Sequence, residues 1–592
     1  MASDKRKNME NHKAHDPGAA RRLHTTHPQV RALARILQAK GIRDIVLSSG
    51  SRNAPIVQEL TSDPGFRCFS IVDERSAAFF ALGLAKQQSQ PAVVVCTSGS
   101  AVLNYYPAVA EAYYSRVPMI VISADRPAQW IDQAVGQTIR QDQVLAAHSV
   151  YNASLREGSD EQTAWYNARK INRAVNAARR ECAPVHLNIP LSEPLYRTTD
   201  SDSLLPAPRI IEQMPVEHVP APETVEEIRR LWKNAARKMI LVGAGQPNER
   251  LSEVLSRLAR QSDTVVLCET TSNLLSGNDA SGCPDPFIRH IDRTLRPFDP
   301  CDERTKRLQP DLLITCAGMV VSKKIKTFLQ EAAPAVHIHV DPHTHPDTYM
   351  SLTHCVSMDA AAFFSLLEDS AYNDTGYARL WAEKNAESQA GHRIYCQNAP
   401  YSDFKVWETL LDTLPQDSHL EIANSAAIRY SQLFALPKGV SVSCNRGTSG
   451  IDGCGSTAAG AAVALAPRRV TLVSGDLSFL YDNNALWNAY LPASMRFIVL
   501  NNGGGGIFRI LDGARTSSFS PQYLQASHRI EFQALAQMHD LEYRRANDLE
   551  SLRQALSDFW APSSRPILLE ADTRTAENDT VLRGYFAALG DD

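Results

Sequence analysis

Short runs of apolar, mostly β-branched residues recur along this chain, and they limit its fold more than any other feature. Ile45-Val46-Leu47-Ser48, Ala92-Val93-Val94-Val95-Cys96, Met119-Ile120-Val121-Ile122-Ser123 and Val185-His186-Leu187-Asn188-Ile189 come first. Met239-Ile240-Leu241-Val242, Thr264-Val265-Val266-Leu267-Cys268, Leu312-Leu313-Ile314-Thr315 and Val336-His337-Ile338-His339-Val340 follow. Val470-Thr471-Leu472-Val473, Phe497-Ile498-Val499-Leu500 and Pro566-Ile567-Leu568-Leu569 complete the series. Most of these runs do not alternate polar with apolar residues, so strands made from them are buried on both faces. Helix-like segments separate them, which argues for parallel sheets covered on both sides.

At 592 residues the chain exceeds what one core can organise. The runs group into three α/β units, at residues 27–197, 225–368 and 403–592. A Pro-, Asp- and Ser-rich linker is expected at 198–224, and a weaker linker at 369–402. Within the middle unit, residues 276–310 read as irregular. Residues 1–26 are polar, lack an apolar signal core and read as a flexible extension. Val93 to Ser100, followed by a helix with Ala108, Ala112 and Tyr113, is echoed by Val470 to Asp476, followed by a helix with Ala485, Ala489 and Tyr490. The first and last units are therefore expected to share one topology, with a different domain between them.

The net charge of −4 and the absence of long Lys/Arg blocks argue against nucleic-acid binding. Eleven scattered cysteines with no Cys-x-x-Cys pair fit neither a disulfide framework nor a structural zinc site; a reducing cytoplasm suits them better. No apolar stretch reaches the ~18–20 residues of a membrane span; the longest candidate, at 455–467, reads as a buried helix.

Two signals carry chemistry. Gly475-Asp476-Leu477-Ser478 ends one predicted strand, and Asn501-Asn502-Gly503-Gly504 ends the next. Consecutive parallel strands end on the same sheet edge, where open α/β sheets bind ligands. A carboxylate, an amide oxygen and a backbone carbonyl are hard oxygen donors suited to Mg²⁺ held jointly with a diphosphate. The second signal, Asp73-Glu74-Arg75, follows Phe69-Ser70-Ile71-Val72 and precedes an apolar helix. The tripeptide alone means little, since Asp302-Glu303-Arg304 recurs in a charged, loop-like stretch. A carboxylate at a strand–helix junction among apolar neighbours, however, is placed to share a proton with a ring nitrogen.

Together these features resemble the thiamine-diphosphate enzymes, with a Gly-Asp…Asn-Asn motif in one domain and an activating Glu in another. Leu477 stands where most of that superfamily has Gly, and the interval to Asn501 is short. Further motifs narrow the resemblance: Gly50-Ser51-Arg52, Thr97-Ser98-Gly99 with Asn104, Ala124-Asp125-Arg126-Pro127, Gln137-Thr138-Ile139-Arg140-Gln141, Ser192-Glu193-Pro194 and Asn445-Arg446-Gly447-Thr448-Ser449-Gly450-Ile451. They resemble the 2-succinyl-5-enolpyruvyl-6-hydroxy-3-cyclohexene-1-carboxylate synthase (MenD) family, in which a Leu after the motif Asp is usual. The match is dense in the outer domains and thin in the middle.

The resemblance implies doubly wound α/β domains and thiamine diphosphate bound between the first domain of one subunit and the last of its partner, in a homodimer or a homotetramer. It implies Mg²⁺ or Mn²⁺ on Asp476, Asn502 and the Gly504 carbonyl, and Glu74 on the aminopyrimidine ring. Ser449, Gly450, Ile451, Gly475, Leu477, Ser478 and Gly505 would line the cofactor, with Ile451 beneath it and Ile507, Phe508 and Leu511 as an apolar wall. The implied reaction is decarboxylation of 2-oxoglutarate and addition of the resulting carbanion to isochorismate, in menaquinone biosynthesis. Both substrates carry two carboxylates, which call for fixed cations. Matching motifs place Ser51, Arg52, Arg126, Gln137, Lys323, Lys324, Ser425, Arg429 and Arg446 there. Ser425 and Arg429 are expected on one face of a helix start, and Gly136 stands where relatives often carry a side-chain amide. The alternative is another 2-oxoacid decarboxylase or carboligase, of the acetohydroxyacid-synthase type. Read without the resemblance, the apolar wall is ordinary core packing and most single cations are solvated surface charges.

Overall fold

The computed structural model describes residues 22–204, 206–216, 218–275, 285–296 and 302–589. Three six-stranded sheets form, and every strand pairing within them is parallel. Across the first sheet the strands are Arg67–Ser70, Asp44–Leu47, Ala92–Cys96, Met119–Asp125, Pro184–Pro190 and Tyr151–Ser154. Across the last they are Ser441–Ser443, His419–Ile422, Val470–Gly475, Arg496–Asn501, Ile567–Asp572 and Glu542–Ala546. Numbered along the chain, both sheets read 2-1-3-4-6-5, so the echo between the two units reflects a shared topology. The middle sheet runs Phe287–Ile288, Thr264–Cys268, Lys238–Val242, Leu312–Cys316, Val336–Val340 and His354–Val356, an order of 3-2-1-4-5-6. That is the dinucleotide-fold order.

The sequence exposes the interior strands because their residues are buried on both faces. Outer strands such as Tyr151–Ser154, Ser441–Ser443 and His354–Val356 are short and polar, and carry no such signal. Interior His419–Ile422 also escaped the pattern, because its polar His419 and Glu421 are buried as a mutual pair 3.1 Å apart.

Three expectations need correction. The segment expected to be flexible through residue 26 is pinned from His24 onward. His24–Thr25 pairs antiparallel with Thr198–Thr199, and His24 Nδ1 lies 2.8 Å from Glu59 Oε1; residues 1–21 lie outside the described residues. The stretch 369–402 contains a 22-residue helix, Tyr377–Asn398. Its start packs on the middle domain, where Tyr377 Oη donates to Leu308 O at 2.8 Å, and its end on the last, where Tyr395 Oη donates to Val581 O at 2.6 Å. Thirdly, the irregular middle-domain region forms short elements, Phe287–Ile288, Ile291–Thr294 and Glu303–Arg307, where it is described; residues 276–284 and 297–301 lie outside the described part. Asp302 caps the last of these helices, so both Asp-Glu-Arg triplets start helices and only the sheet edge distinguishes Glu74.

One contact joins the outer domains closely. Helix Glu74–Gln88 lies against the Ala- and Gly-rich helix Cys454–Ala464. A Cβ on Gly460 would stand 2.0 Å from Phe80 O, and one on Gly83 would stand 2.1 Å from Thr457 O. Only glycine permits backbones to approach this far. Among the described residues no helix is long and apolar enough to cross a membrane.

Candidate active site

Asp476 opens a helix directly after strand Val470–Gly475, and Asn502 follows strand Arg496–Asn501, the neighbour in the sheet. Both side chains are buried at the sheet's carboxyl edge. Asp476 Oδ2 accepts from the amides of Gly503 and Gly504 at 2.8 and 2.9 Å, and Oδ1 accepts from Leu477 N at 2.6 Å. Gly504 has φ +142°, a conformation that turns the loop back on itself at little cost only without a Cβ.

Asn502 is held by its nitrogen end. Nδ2 donates to Asp403 Oδ2 at 2.9 Å, and Asp403, itself buried, also accepts from Thr573 Oγ1 at 2.6 Å. Burial pushes the Asp403 carboxyl up, against the downward pull of those two hydrogen bonds. The amide oxygen of Asn502 is left buried with no hydrogen-bond partner. Such an orphan costs about 1–3 kcal/mol unless something binds it. A buried orphan oxygen beside a carboxylate fits a hard cation. No cluster of three or more His, Cys, Asp or Glu suited to a metal occurs among the described residues, so an ion here would need Asp476, Asn502, the Gly504 carbonyl and a ligand's oxygens.

Segment 520–529 lies over this cradle. Gln525 O accepts from Gly505 N at 2.5 Å, and His528 Nε2 stands 3.2 Å from Asp476 Oδ2. Ile507, Phe508 and Leu511 are half-buried beside it. Ser478 Oγ donates to Ile451 O at 2.9 Å, which ties the residue expected beneath the cofactor to the helix that Asp476 opens.

The first domain gathers a separate set. Glu74 is the first residue of helix Glu74–Gln88, capped by Asp73, and its Oε2 accepts from Asn104 Nδ2 at 3.3 Å. Arg52 is buried and pairs with Glu193 Oε1 at 3.1 Å while donating to Leu191 O at 2.8 Å. Burial lowers its pKa, and the neighbouring charge of Arg126 lowers it further. Arg126 donates to Gly136 O at 3.2 Å, so the side chain missing at 136 leaves its carbonyl in use. Ser51 and Gln137 are exposed, Gln137 at φ +56°.

A third set lies between the middle and last domains. Ser425 precedes helix Ala426–Ser431 rather than joining it, at φ +72°, so the expected shared face with Arg429 does not arise from helical spacing. Burial lowers the pKa of Arg429, which feels Asp292, Arg446 and Glu269. Arg446 Nη1 donates to Asn424 Oδ1 at 2.9 Å. Lys323 is exposed, but Lys324 turns away: its ammonium donates to Asp292 O at 2.9 Å and lies 3.5 Å from the Phe586 ring centroid. Burial brings its pKa down to about 7. Lys326, absent from the sequence reading, lines a cavity of about 1150 Å³ together with Arg446. Its helical distance of three from Lys323 was the available signal. Glu269 was also missed. Buried, it accepts from Val321 N and Ser322 N at 2.7 Å each, fixing the turn before Lys323; burial pushes its carboxyl up to about 7 against those bonds. Among the described residues, no hydrogen bond or ion pair joins Glu74 to Asp476, Asn502 or the Gly504 loop.

The family described as "Thiamine pyrophosphate enzyme, N-terminal TPP binding domain" matches residues 29–146, and "Thiamine pyrophosphate enzyme, C-terminal TPP binding domain" matches residues 429–571. The chain is 44% identical to a Flavobacterium johnsoniae protein named 2-succinyl-5-enolpyruvyl-6-hydroxy-3-cyclohexene-1-carboxylate synthase, over 94% of this chain and 98% of the relative. Relatives of the same name from Christiangramia forsetii and Bacteroides thetaiotaomicron are 40% and 37% identical, over 94% and 96% of this chain and 98% and 100% of their own lengths.

Proposed function

The chain belongs to the 2-succinyl-5-enolpyruvyl-6-hydroxy-3-cyclohexene-1-carboxylate synthase family of thiamine-diphosphate enzymes, and from that premise we propose how its residues divide the work. The reaction is decarboxylation of 2-oxoglutarate and transfer of the remaining succinyl fragment to isochorismate, a step of menaquinone biosynthesis. Thiamine diphosphate, when bound, supplies the carbon nucleophile for the keto carbon and the electron sink for loss of CO₂.

Asp476, the Asn502 amide oxygen and the Gly504 carbonyl would hold Mg²⁺, or Mn²⁺, and through it the diphosphate. Asp403 keeps the Asn502 oxygen turned inward. Glu74 holds a proton at the aminopyrimidine ring. Ile451, Ile507, Phe508 and Leu511 keep water from the reacting carbon, and desolvation there strengthens every charge interaction. Arg52, Arg126, Arg429 and Arg446, with Ser51, Gln137, Lys323 and Ser425, orient the four carboxylates of the two substrates. Lys324 serves the site through the Asp292 segment, and Lys326 presents an ammonium to the cavity that Arg446 also lines.

Among the described residues no hydrogen bond or ion pair joins Glu74 to Asp476, which supports a site completed by a second copy: Glu74 of one subunit works with Asp476 of the other, in a dimer or a tetramer. The nine cysteines of the described part are all free, which supports a reducing, cytoplasmic setting.

The observation that carries this reading is the buried, partnerless Asn502 oxygen next to Asp476 over a glycine loop. With Mg²⁺ and thiamine diphosphate present, the protein should consume 2-oxoglutarate and isochorismate together and release CO₂. Turnover of pyruvate without any need for isochorismate would replace this reading with that of an acetohydroxyacid-synthase-like carboligase.

A further inference from the structure

Glu111 lies in the first domain, on helix Tyr106–Tyr114, yet its carboxylate is spent on the last domain of the same chain. It is 1% exposed. Oε1 accepts from Gly447 N at 2.8 Å and from Ser115 Oγ at 2.6 Å. Oε2 accepts from Thr448 N at 2.6 Å and Thr448 Oγ1 at 2.8 Å. Four donors thus converge on one acceptor-only group, and two of them are successive backbone amides. The approach is close: a Cβ on Gly447 would stand 2.5 Å from Glu111 O.

The clamped turn is functionally dense. Arg446 precedes it, and Ser449, Gly450 and Ile451 follow. Ser449 sits at φ +61°, a left-handed conformation that a serine holds only when its surroundings fix it. From the last domain, Asn424 donates to Gly450 O at 2.8 Å and accepts from Arg446. Glu111 supplies the opposing hold from another domain.

We propose that Glu111 is a positioning residue for the reaction, setting the 446–451 turn so that Arg446 meets a substrate carboxylate and Ile451 lies beneath the cofactor. This rests on the functional reading above. Each first domain then serves two sites, giving Glu74 to its partner's site and Glu111 to its own. A glutamine at 111 is nearly the same size, but its amide nitrogen must face a donor on one side, and a buried donor against a donor loosens the turn.

The test compares three variants as magnesium–thiamine-diphosphate holoenzymes. Glu111→Gln should raise KM for 2-oxoglutarate about tenfold, the equivalent of one hydrogen bond to a charged group, while kcat stays within about threefold. It should also speed amide hydrogen exchange in the 446–451 peptide. Ser115→Ala removes a donor that the first domain itself gives to the same carboxylate, leaves the three bonds from Gly447 and Thr448 in place, and should leave both within about twofold. A merely structural Glu111 would lower the melting temperature and leave KM and the exchange of that peptide alone. Unchanged KM in folded Glu111→Gln, or an equal rise in Ser115→Ala, overturns the proposal. Should Glu111→Gln fail to fold, Thr448→Val, which loses one of the four donors, is expected to raise KM about threefold, and an unmoved KM there overturns it as well. Were wild-type protein itself inert toward 2-oxoglutarate, the functional reading would fall, and exchange in the 446–451 peptide would still decide whether Glu111 holds the turn.

Discussion

Replacing Asp403 by leucine perturbs the proposed metal site without altering any group that would touch the ion. Asp403 Oδ2 receives the Asn502 amide at 2.9 Å, and Oδ1 receives the Thr573 hydroxyl at 2.6 Å, in a fully buried setting. Leucine keeps the branch at Cγ, is bulkier, and accepts neither bond. The Asn502 nitrogen then has no fixed partner, and the side chain is free to turn its NH₂ group toward the cation. A hydrogen bond to a charged group contributes about 1.5–3 kcal/mol. If that energy is what keeps the oxygen inward, the Kd for Mg²⁺ rises by about 10- to 100-fold, the usual penalty for losing an orienting partner of a metal ligand. Asp403→Asn is the control: its one carbonyl can serve Asn502 while Thr573 rotates to accept, so the loss should stay within about threefold. Calorimetric titration of Mg²⁺ in the presence of thiamine diphosphate reads both variants without recourse to turnover. Folded Asp403→Leu that binds Mg²⁺ as wild type does would refute the assignment of the orphan oxygen.

Two further expectations concern assembly and packing. Glu74→Gln and Asp476→Ala should each be nearly inactive, the first while still binding cofactor. An equimolar mixture after subunit exchange should recover about a quarter of wild-type activity, because half the dimers are mixed and each mixed dimer rebuilds one of two sites; no recovery would place Glu74 and Asp476 in sites of a single chain. Gly460→Ala puts a methyl 2.0 Å from Phe80 O and should cost about 1–3 kcal/mol, seen as a lower melting temperature, whereas Gly513→Ala, which meets nothing within 4 Å, should not. Equal melting temperatures would mean that the two helices separate more readily than their packing implies.

The legible parts of this protein share a cause. Interior parallel strands are apolar on both faces, so three sheets could be read from local pattern alone. Asp476 and Asn502 could be read because each directly follows such a strand, and neighbouring strands deliver their ends to one edge. Helix Tyr377–Asn398 was not legible, since its apolar residues face two different domains and show no single stripe. Ser425 looked helical by spacing, but its left-handed backbone ends that logic one residue early.

By itself, the amino-acid sequence determined the fold class, the repeated topology of the outer domains and the residues proposed here to meet the cofactor, because each depends on neighbours in the chain or on strand order. Tertiary structure alone decided which buried carboxylates hold those residues in place: Asp403 behind Asn502, Glu269 behind the Lys323 turn, Glu111 behind Arg446. Apart from Ser115, four residues from Glu111, their side-chain carboxylates take hydrogen bonds from donors between 52 and 337 residues away. A carboxylate that is satisfied mainly across such a distance leaves little trace in its own stretch of sequence.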